Sequence, residues 1–208
     1  MPMNEEKERL RETYNRHANE RDGVKMAPWK FKERQQYMQS ILEEDLNSIL
    51  ELGSGTGRDG LYFQENHFEV VCVDLSDEMV RICREKGLDA RRMDFSELSF
   101  EPESFDSVYA MNSLLHVPKA ELDSVLEQVR RVLKPGGLFY LGLYGGQSRE
   151  GVWDEDHYEP KRFFSMYSDE EIQEVAKRLF EVEDFHAELL DESSRSPHFQ
   201  SLLLRKRK

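Results

Sequence analysis

Three glycines at alternate positions, directly after an apolar run, constrain this chain more than any other feature of its sequence. The run Ile49-Leu50-Glu51-Leu52 is followed by Gly53-Ser54-Gly55-Thr56-Gly57. This pattern predicts a strand that turns tightly into a helix, because glycine permits backbone conformations and a close ligand approach that other residues prevent. The amide groups that begin the following helix would then face a ligand. A dinucleotide loop has the spacing G-x-G-x-x-G, whereas Arg58 stands in the sixth place here, so a nicotinamide oxidoreductase is a distant alternative.

After Gly53, short apolar runs alternate with amphipathic segments. This alternation predicts an α/β fold with a Rossmann-like, doubly wound, mostly parallel sheet. A polar turn at 191–197 is too short for a crossover helix, so the strands on either side of it are expected to be antiparallel. The predicted strands are 48–53, 69–74, 89–94, 104–111, 138–143, 182–189 and 198–205. The predicted helices are 5–20, 30–44, 59–66, 77–86, 118–133 and one that starts with a capping box at Ser168 and Glu171.

Two regions flank this pattern. The helix at 30–44 is expected to place Phe31, Met38, Ile41 and Leu42 on one face. A long irregular connection is expected at 144–167, and connections of that kind are usually functional or mobile.

Acidic side chains end two successive predicted strands. Asp74 ends the second strand, where its carboxylate can accept both hydroxyl groups of a ribose. The alternative is that Asp74 serves only as an acid near the start of the helix after Ser76. Asp94 ends the third strand and precedes Phe95. Asp94 offers a hydrogen-bond acceptor and Phe95 a flat apolar face, which together suit an adenine. Open α/β sheets bind ligands at the carboxyl ends of their strands, so the glycine loop and these acids define one predicted site.

These residues resemble the class I S-adenosylmethionine-dependent methyltransferases. Two further runs contribute to the resemblance, Phe105-Asp106-Ser107-Val108 and Leu133-Lys134-Pro135-Gly136-Gly137. The resemblance covers about 49–143, and the antiparallel final hairpin matches the seven-stranded sheet of that family. It implies that the glycine loop passes the methionine part of the cofactor, that Asp74 holds the ribose and that Asp94 and Phe95 meet the adenine. The implied cofactor-binding residues are Trp29, Glu51, Gly53, Ser54, Gly55, Asp74, Leu75, Asp94, Phe95, Asn112 and Ser113.

His116 follows the fourth strand, near the place where the cofactor is expected to present its methyl group. An imidazole of ordinary pKa is mostly neutral at physiological pH and can accept a proton, so His116 is the candidate catalytic residue. The alternative is a histidine at a helix entry whose ring binds the backbone. Neither an Asn-Pro-Pro-aromatic run nor a Pro-Cys pair occurs in this segment, which disfavours methylation of adenine amines and of pyrimidine carbons.

Further candidates for contacts with the substrate lie in the N-terminal helical region and in the segment at 144–167. Packing of a helical cap and a solvated acidic loop are the alternatives to a substrate role. Aromatic rings beside the acids at 154–156 could enclose a cationic or amine-bearing molecule. The candidate substrate residues are Tyr14, His116, Trp153, Tyr158 and Arg162.

The composition limits the classes of partner. The 208 residues carry 29 basic and 42 acidic side chains, a formal net charge of −13, which disfavours nucleic acid as a partner. Cys72 and Cys83 match neither a disulfide framework nor a zinc spacing, and no metal site is expected. No run is long and apolar enough for a membrane span and no signal-peptide stretch is seen, so we expect a cytoplasmic protein.

The sequence thus predicts a single methyltransferase domain that acts on a neutral or cationic small molecule. Its expected parts are a helical cap (1–46), a cofactor-binding core (47–143), an insertion that covers the substrate (144–167) and a final helix with an antiparallel hairpin (168–208). An RNA or protein methyltransferase and a noncatalytic S-adenosylmethionine-binding protein are the alternatives. The acceptor, the atom that is methylated and the oligomeric state cannot be read from the sequence.

Overall fold

The computed structural model describes residues 3–190 and 197–208 and contains the predicted seven-stranded sheet. Its strands are β1 (Ser48–Leu52), β2 (Glu69–Asp74), β3 (Asp89–Arg92), β4 (Phe105–Met111), β5 (Leu133–Gly145), β6 (Arg149–Val152), β7 (Phe163–Met166), β8 (Glu181–Glu188) and β9 (His198–Arg205). The order in the large sheet is β3-β2-β1-β4-β5-β9-β8, and β9 runs antiparallel to both of its neighbours. The predicted fold class is confirmed. Residues 191–196, which make up most of the predicted polar turn, lie outside the described residues.

The helices of the described chain are α1 (Met3–Gly23), α2 (Pro28–Glu43), α3 (Arg58–Glu65), α4 (Asp77–Glu85), α5 (Lys119–Val132) and α6 (Asp169–Lys177), with a 3-10 turn at Leu114–His116. Side chains alternate between the faces of the sheet, so Leu50 and Leu52 pack with α5 and α6 on one face while Ile49 packs with α2, α3 and α4 on the other. Outside these layers, Ala18 of α1 packs against Met79 and Ile82 of α4. This contact brings α1 next to the edge where the parallel strands end.

Most predicted ends differ from the observed ones by one or two residues, and two differences matter. Strand β3 ends at Arg92, so Asp94 lies in the loop that follows the strand. Strand β5 begins at Leu133 instead of 138, because the amide of Gly136 donates to the Lys206 carbonyl (3.0 Å) and that of Lys206 to the Gly137 carbonyl (2.9 Å). The Lys-Pro-Gly-Gly segment ends α5 as predicted, and it then runs beside the last strand.

The predicted apolar face of α2 is wrong in part. Phe31 and Leu42 are 49% and 51% exposed, whereas Ile41 is fully buried. Charged residues occupy the buried face because they find partners there; Arg34, for example, pairs with Asp59 of α3 at 3.0 Å. A count of apolar positions cannot detect such partners. The buried residues of α2 are Glu33, Arg34, Tyr37 and Ile41.

Glu33 joins α2 to the antiparallel end of the sheet. Its carboxylate accepts hydrogen bonds from the hydroxyl groups of Tyr140 (2.9 Å) and Ser201 (2.7 Å), and its other oxygen lies 3.0 Å from His186 Nε2. His186 Nδ1 lies 3.0 Å from a carboxylate oxygen of Asp184. Burial lowers the pKa of His186, but hydrogen bonds to Glu33 and Asp184 outweigh it and the net pKa is raised. When the ring is protonated, both of its nitrogens donate, and the imidazolium compensates a buried carboxylate.

We expect this contact to make stability depend on pH. The pKa of His186 is higher in the folded chain than in the unfolded one, so its contribution is complete below about pH 6.5 and disappears as the pH rises through the folded pKa. The melting temperature of His186→Gln should therefore fall furthest below that of the wild type in acid, and the gap should close at alkaline pH. The exposed His67→Gln is the control, and a gap that widens with pH would contradict the prediction.

The segment at 144–167, predicted to be irregular, contains ordered structure. Strands β6 and β7 form a two-stranded antiparallel sheet with Arg149 opposite Met166 and Val152 opposite Phe163. The capping box at Ser168 and Glu171 then starts α6 as predicted. No helix in the described ranges is long and apolar enough to cross a membrane.

Candidate active site

A cavity of about 560 Å³ lies at the edge of the large sheet where β1, β2 and β4 end. The loops after these strands form its floor, and α1, the connection from α1 to α2 and residues 157–158 cover it. Its volume is within the range of roughly 300–1,000 Å³ that is typical of small-molecule sites. The predicted site residues that line it are Tyr14, Trp29, Glu51, Gly53, Ser54, Gly55, Asp74, Leu75, Asp94, Phe95, Asn112, Ser113, His116 and Tyr158.

The glycine loop turns β1 into α3 at the cavity floor. Gly53, Gly55 and Gly57 have φ angles of 69°, 54° and 75°, a left-handed conformation that favours glycine. The amides of Gly53 and Ser54 donate to the Val73 carbonyl at 2.8 and 3.1 Å, which ties the loop to β2. A side chain at Gly53 would overlap Ser113. The glycines therefore let bare backbone border the cavity.

Asp74 ends β2 and is held by the loop that it faces. Its two carboxylate oxygens accept hydrogen bonds from the amides of Gly55 and Ser76, both at 2.9 Å. Burial nevertheless raises the pKa of Asp74 to about 6, because these two hydrogen bonds offset only part of the cost of removing the charge from water. Asp74 is thus ionised at neutral pH and able to accept further hydrogen bonds from a ligand.

Asp94 and Phe95 lie together on the cavity wall beyond β3. The Asp94 carboxylate accepts hydrogen bonds from the Ser96 amide (2.9 Å) and hydroxyl (2.8 Å) and forms an ion pair with Lys7 of α1 (3.0 Å). Burial raises the pKa of Asp94, but these donors outweigh it and the pKa is lowered. The ring of Phe95 is half-buried beside Gly53. A charged acceptor and an aromatic face therefore lie side by side.

Asn112 and Ser113 follow β4 and face the cavity with unused polar atoms. Asn112 has a φ angle of 53°, in the left-handed region that few non-glycine residues adopt. Both polar atoms of its side chain and the Ser113 hydroxyl are buried and make no hydrogen bond within the described residues. Buried polar groups are normally paired, so these atoms point to a polar ligand. A nucleoside and amino-acid cofactor fits this donor and acceptor set.

Glu51 lies behind the glycine loop. Its carboxyl group accepts a hydrogen bond from the Cys72 thiol at 3.2 Å and is almost fully buried. Burial raises the pKa of Glu51 well above its ordinary range, and the nearby charges of Asp59 and Asp74 raise it further. A cationic group bound in the cavity would reverse part of this shift. Glu51 is therefore suited to receive an ammonium group.

Tyr14 and His116 form a pair above the glycine loop. The Tyr14 hydroxyl lies 2.6 Å from His116 Nε2, and His116 Nδ1 lies 2.7 Å from the Phe163 carbonyl oxygen. A carbonyl accepts only, so Nδ1 carries the proton and Nε2 accepts from the Tyr14 hydroxyl. Arg162 donates to the same hydroxyl oxygen at 3.2 Å. Both ring nitrogens of His116 are therefore engaged, and the hydroxyl of Tyr14, a cavity-lining residue, is fixed between His116 and Arg162.

The surroundings of His116 keep its ring neutral. Removal from water lowers the pKa of His116 to about 3; the hydrogen bond to Phe163 opposes this shift, whereas the positive charges of Arg162 and Arg21 add to it. A group with so low a pKa is a weak base at neutral pH. The arrangement favours an orienting role for the ring.

Trp29, in the first turn of α2, forms part of the cavity wall. Its ring packs at 4.4 Å from that of Phe199 and at 6.4 Å from that of Tyr144. Lys30 lies 5.3 Å from the same ring and is also half-buried at the cavity. The start of α2 thus brings an aromatic and a cationic side chain to the site.

Of the candidate substrate residues, Trp153 and Arg162 do not line the cavity. Trp153 packs edge-on against Phe164 at 5.6 Å, and Arg162 lies behind two lining residues, with a hydrogen bond to the Tyr14 hydroxyl and its guanidinium 4.5 Å from the Tyr158 ring. The acids at 154–156 do not line it either, because Asp156 turns inward and pairs with Arg162 at 2.8 Å. Tyr158, 4% exposed, is the buried aromatic residue that this segment brings to the cavity.

Arg21 and Tyr144 are among the cavity residues that the sequence did not predict. Arg21, in the last turn of α1, lies with its guanidinium carbon 5.1 Å from the Tyr14 ring and 5.7 Å from the Tyr158 ring. Its spacing of seven from Tyr14 places both on one face of α1, a signal that could have identified it. Tyr144, at the end of β5, lines the cavity beside Trp29. Nothing in its local sequence marks it.

Other chemistries find no support in the described part of the chain. No group of three His, Cys, Asp or Glu side chains there is placed to hold a metal ion. Burial raises the pKa of the Cys83 thiol to about 12, and that of Cys72 is raised further, so both thiols stay protonated.

Known proteins that are similar to this chain include methyltransferases. The family model described as "Methyltransferase domain" matches residues 49–137. A sterol 24-C-methyltransferase from Candida albicans is 28% identical over 174 residues, 74% of this chain and 45% of that protein. A sarcosine/dimethylglycine N-methyltransferase from Aphanothece halophytica is 35% identical over 100 residues, 44% of this chain and 35% of that protein. The chain therefore spans less than half the length of these curated relatives.

Among solved structures, the 1,6-didemethyltoxoflavin-N1-methyltransferase of Burkholderia thailandensis superposes with a TM-score of 0.74 at 20% identity, covering 100% of this chain and 92% of that one. At this identity the likeness shows the fold alone. The fold, the glycine loop and the acids beyond β2 and β3 define a nucleoside-binding α/β domain. Residues 49–137 match the methyltransferase-domain family, in agreement with the resemblance to class I S-adenosylmethionine-dependent methyltransferases, and the comparisons support S-adenosylmethionine as the cofactor.

Proposed function

We propose that this chain transfers a methyl group from S-adenosylmethionine to a small-molecule acceptor by in-line displacement. The observation that carries the proposal is that one covered cavity contains both the glycine loop with Asp74 and the Tyr14–His116 pair. Cofactor and acceptor would meet in this space, away from bulk water. The division of the chain into cap, core, insertion and final hairpin is part of the same proposal.

The residues on the cavity floor and wall are proposed to hold the cofactor as follows. Asp74 accepts the ribose hydroxyls, Asp94 and Phe95 receive the adenine, and the backbone from Gly53 to Gly55 borders the methionine part. Glu51 receives the amino group, while Asn112 and Ser113 supply their unpaired atoms near the sulfonium. Leu75 and Trp29 complete the apolar wall. Each assignment uses a group that the unliganded chain leaves partly unsatisfied or buried at the cavity.

The protein aligns the reacting atoms. Bound S-adenosylmethionine supplies an activated methyl group on a sulfonium, so the chain needs chiefly to orient the acceptor. Tyr14 is the proposed orienting group, since it lines the cavity and its hydroxyl has an oxygen that can contact an acceptor. His116 fixes this hydroxyl by accepting its proton in a hydrogen bond. The prediction that His116 is itself a base stays a prediction.

The covered cavity favours a small acceptor over an RNA or a protein chain. The two curated relatives act, by their names, on a sterol and on methylated glycines. Charged and hydroxyl groups at the acceptor end, such as Tyr14, Arg21 and Tyr158, favour a polar molecule over a sterol. The prediction of a neutral or cationic acceptor rested in part on the acids at 154–156. Asp156 no longer supports it, because its carboxylate is paired with Arg162. A cytoplasmic location remains a prediction from composition.

Two measurements test the proposal. Isothermal titration calorimetry should detect binding of S-adenosylhomocysteine, and a panel of amines, amino acids, hydroxy acids and sterols should contain an acceptor that yields S-adenosylhomocysteine from S-adenosylmethionine. A chain that does not bind S-adenosylhomocysteine refutes the assignment of the site. Tight binding without turnover of any small molecule favours the noncatalytic alternative, and turnover of purified tRNA or protein alone favours a macromolecular acceptor.

A further inference from the structure

The charge of the acceptor can be inferred from Arg21, an inference that rests on the proposed function. The guanidinium of Arg21 lies at the acceptor end of the cavity, between the rings of Tyr14 and Tyr158, and donates to the Tyr158 hydroxyl at 3.4 Å. These contacts hold its position without neutralising its charge. A guanidinium prepared in this way is suited to bind a planar anion.

Several of the other charged groups that line the cavity already have opposite charges or carbonyl partners. Lys7 pairs with Asp94 at 3.0 Å, and Arg34 from outside the lining pairs with Asp59 at 3.0 Å. Arg58 donates to the main-chain carbonyls of Arg21 and Asp22. Within residues 3–190 and 197–208, by contrast, no carboxylate forms an ion pair with Arg21. Among the described residues, Arg21 is therefore a cavity cation without an ion pair.

The cofactor carries one carboxylate, and a different cation is better placed for it. Lys30 lies near Arg58 and Asp59, the first two residues of α3, which is the helix that follows the glycine loop. The methionine part of the cofactor is expected there. Burial lowers the pKa of Lys30, and an anion bound beside it would favour its charged form. Arg21 instead shares its surroundings with Tyr14, whose hydroxyl is bound to His116 beyond β4. Arg21 is distinguished from Lys30 by its contacts with Tyr14 and Tyr158, the residues of the proposed acceptor end.

We propose that Arg21 binds a carboxylate of the methyl acceptor. The fork of the guanidinium can donate two parallel hydrogen bonds to such a group, and the Tyr158 hydroxyl can add a third. Tyr14 then lies on the same face of α1 to align the remainder of the molecule with the methyl group. The acceptor is accordingly a carboxylate-bearing molecule, an amino acid or a hydroxy acid, whose overall charge is neutral or negative.

The test uses the complete chain saturated with S-adenosylhomocysteine, with succinate as the probe and succinamide as its uncharged counterpart at matched ionic strength. Succinate should raise the melting temperature and succinamide should not. Arg21→Gln should weaken the apparent affinity for succinate about tenfold or more, the effect of losing a hydrogen-bonded charge. Arg16→Gln, an equal change of charge on the exposed side of α1, should retain the wild-type response.

A second titration tests whether Arg21 instead binds the carboxylate of the cofactor. If Arg21 bound the carboxylate of the cofactor, Arg21→Gln would weaken the binding of S-adenosylhomocysteine. It would leave the binding of methylthioadenosine, which lacks the amino-acid part, unchanged. That result overturns the inference. Failure of succinate to stabilise the wild-type complex also overturns it while leaving the methyltransferase proposal intact. Failure of the wild type to bind S-adenosylhomocysteine, by contrast, removes the proposed function first.

Discussion

Replacing Asp74 with alanine weakens the binding of S-adenosylhomocysteine about 30-fold, or about 2 kcal/mol, as expected when buried ribose hydroxyls lose a charged acceptor. The carboxylate is 8% exposed and fixed by the amides of Gly55 and Ser76, so no other side chain can take over its contacts without moving the loop. Calorimetry at pH 8 measures the change. An unaltered affinity would mean that the ribose lies elsewhere.

The same carboxylate gives the affinity a defined pH dependence. Asp74 has a pKa of about 6 in the unliganded chain, and only its ionised form accepts two hydroxyl hydrogen bonds. Affinity should be constant at neutral pH and fall by up to about tenfold per unit as the pH decreases below 6, because protonation then competes with binding. Asp74→Asn, which cannot ionise, is the matched control and should bind weakly with a flatter profile. A wild-type affinity that rises in acid would contradict this assignment.

The part of the site that the sequence predicts well is local in the chain. The glycine loop and Asn112 follow a strand directly and Asp74 ends one, so the period of the strand and the few residues after it determine where they lie. Because parallel strands end at the same edge, positions that are distant in sequence meet there without further information. This is why these cavity residues could be identified before the fold was known.

The remaining residues depend on contacts between distant segments. Arg21 meets Tyr158 across 137 residues of sequence, and nothing near either residue announces the other. Asp156 was predicted to face the substrate, but the turn between β6 and β7 directs it to Arg162 instead. Glu33 and Arg34 are buried in α2 only because β9 and α3 supply their partners. In each case the partner of a charged side chain is revealed only by the tertiary structure.

Removing the Tyr14 hydroxyl tests whether the chain acts by alignment. Tyr14→Phe should lower kcat by about 100-fold with the acceptor found in the panel, the effect of losing a group that orients reacting atoms. Its affinity for S-adenosylhomocysteine should change by less than about twofold, because the hydroxyl is turned toward His116 Nε2 at 2.6 Å and is not assigned to the cofactor. A large loss of cofactor affinity in this variant would place Tyr14 in the cofactor site instead.

The His116→Gln variant distinguishes two roles of the ring, positioning of the Tyr14 hydroxyl and acceptance of a proton from the substrate. If the ring only fixes the Tyr14 hydroxyl, His116→Gln and Tyr14→Phe remove the same interaction, and the double variant should be no slower than the worse single one. The pH profile of kcat should also keep its shape in His116→Gln, because a ring with a pKa of about 3 does not titrate in the neutral range. An acidic limb near neutrality that disappears in His116→Gln would identify the ring as the proton acceptor. That outcome would require the bound substrate to raise the pKa of His116 by several units against the burial that chiefly lowers it.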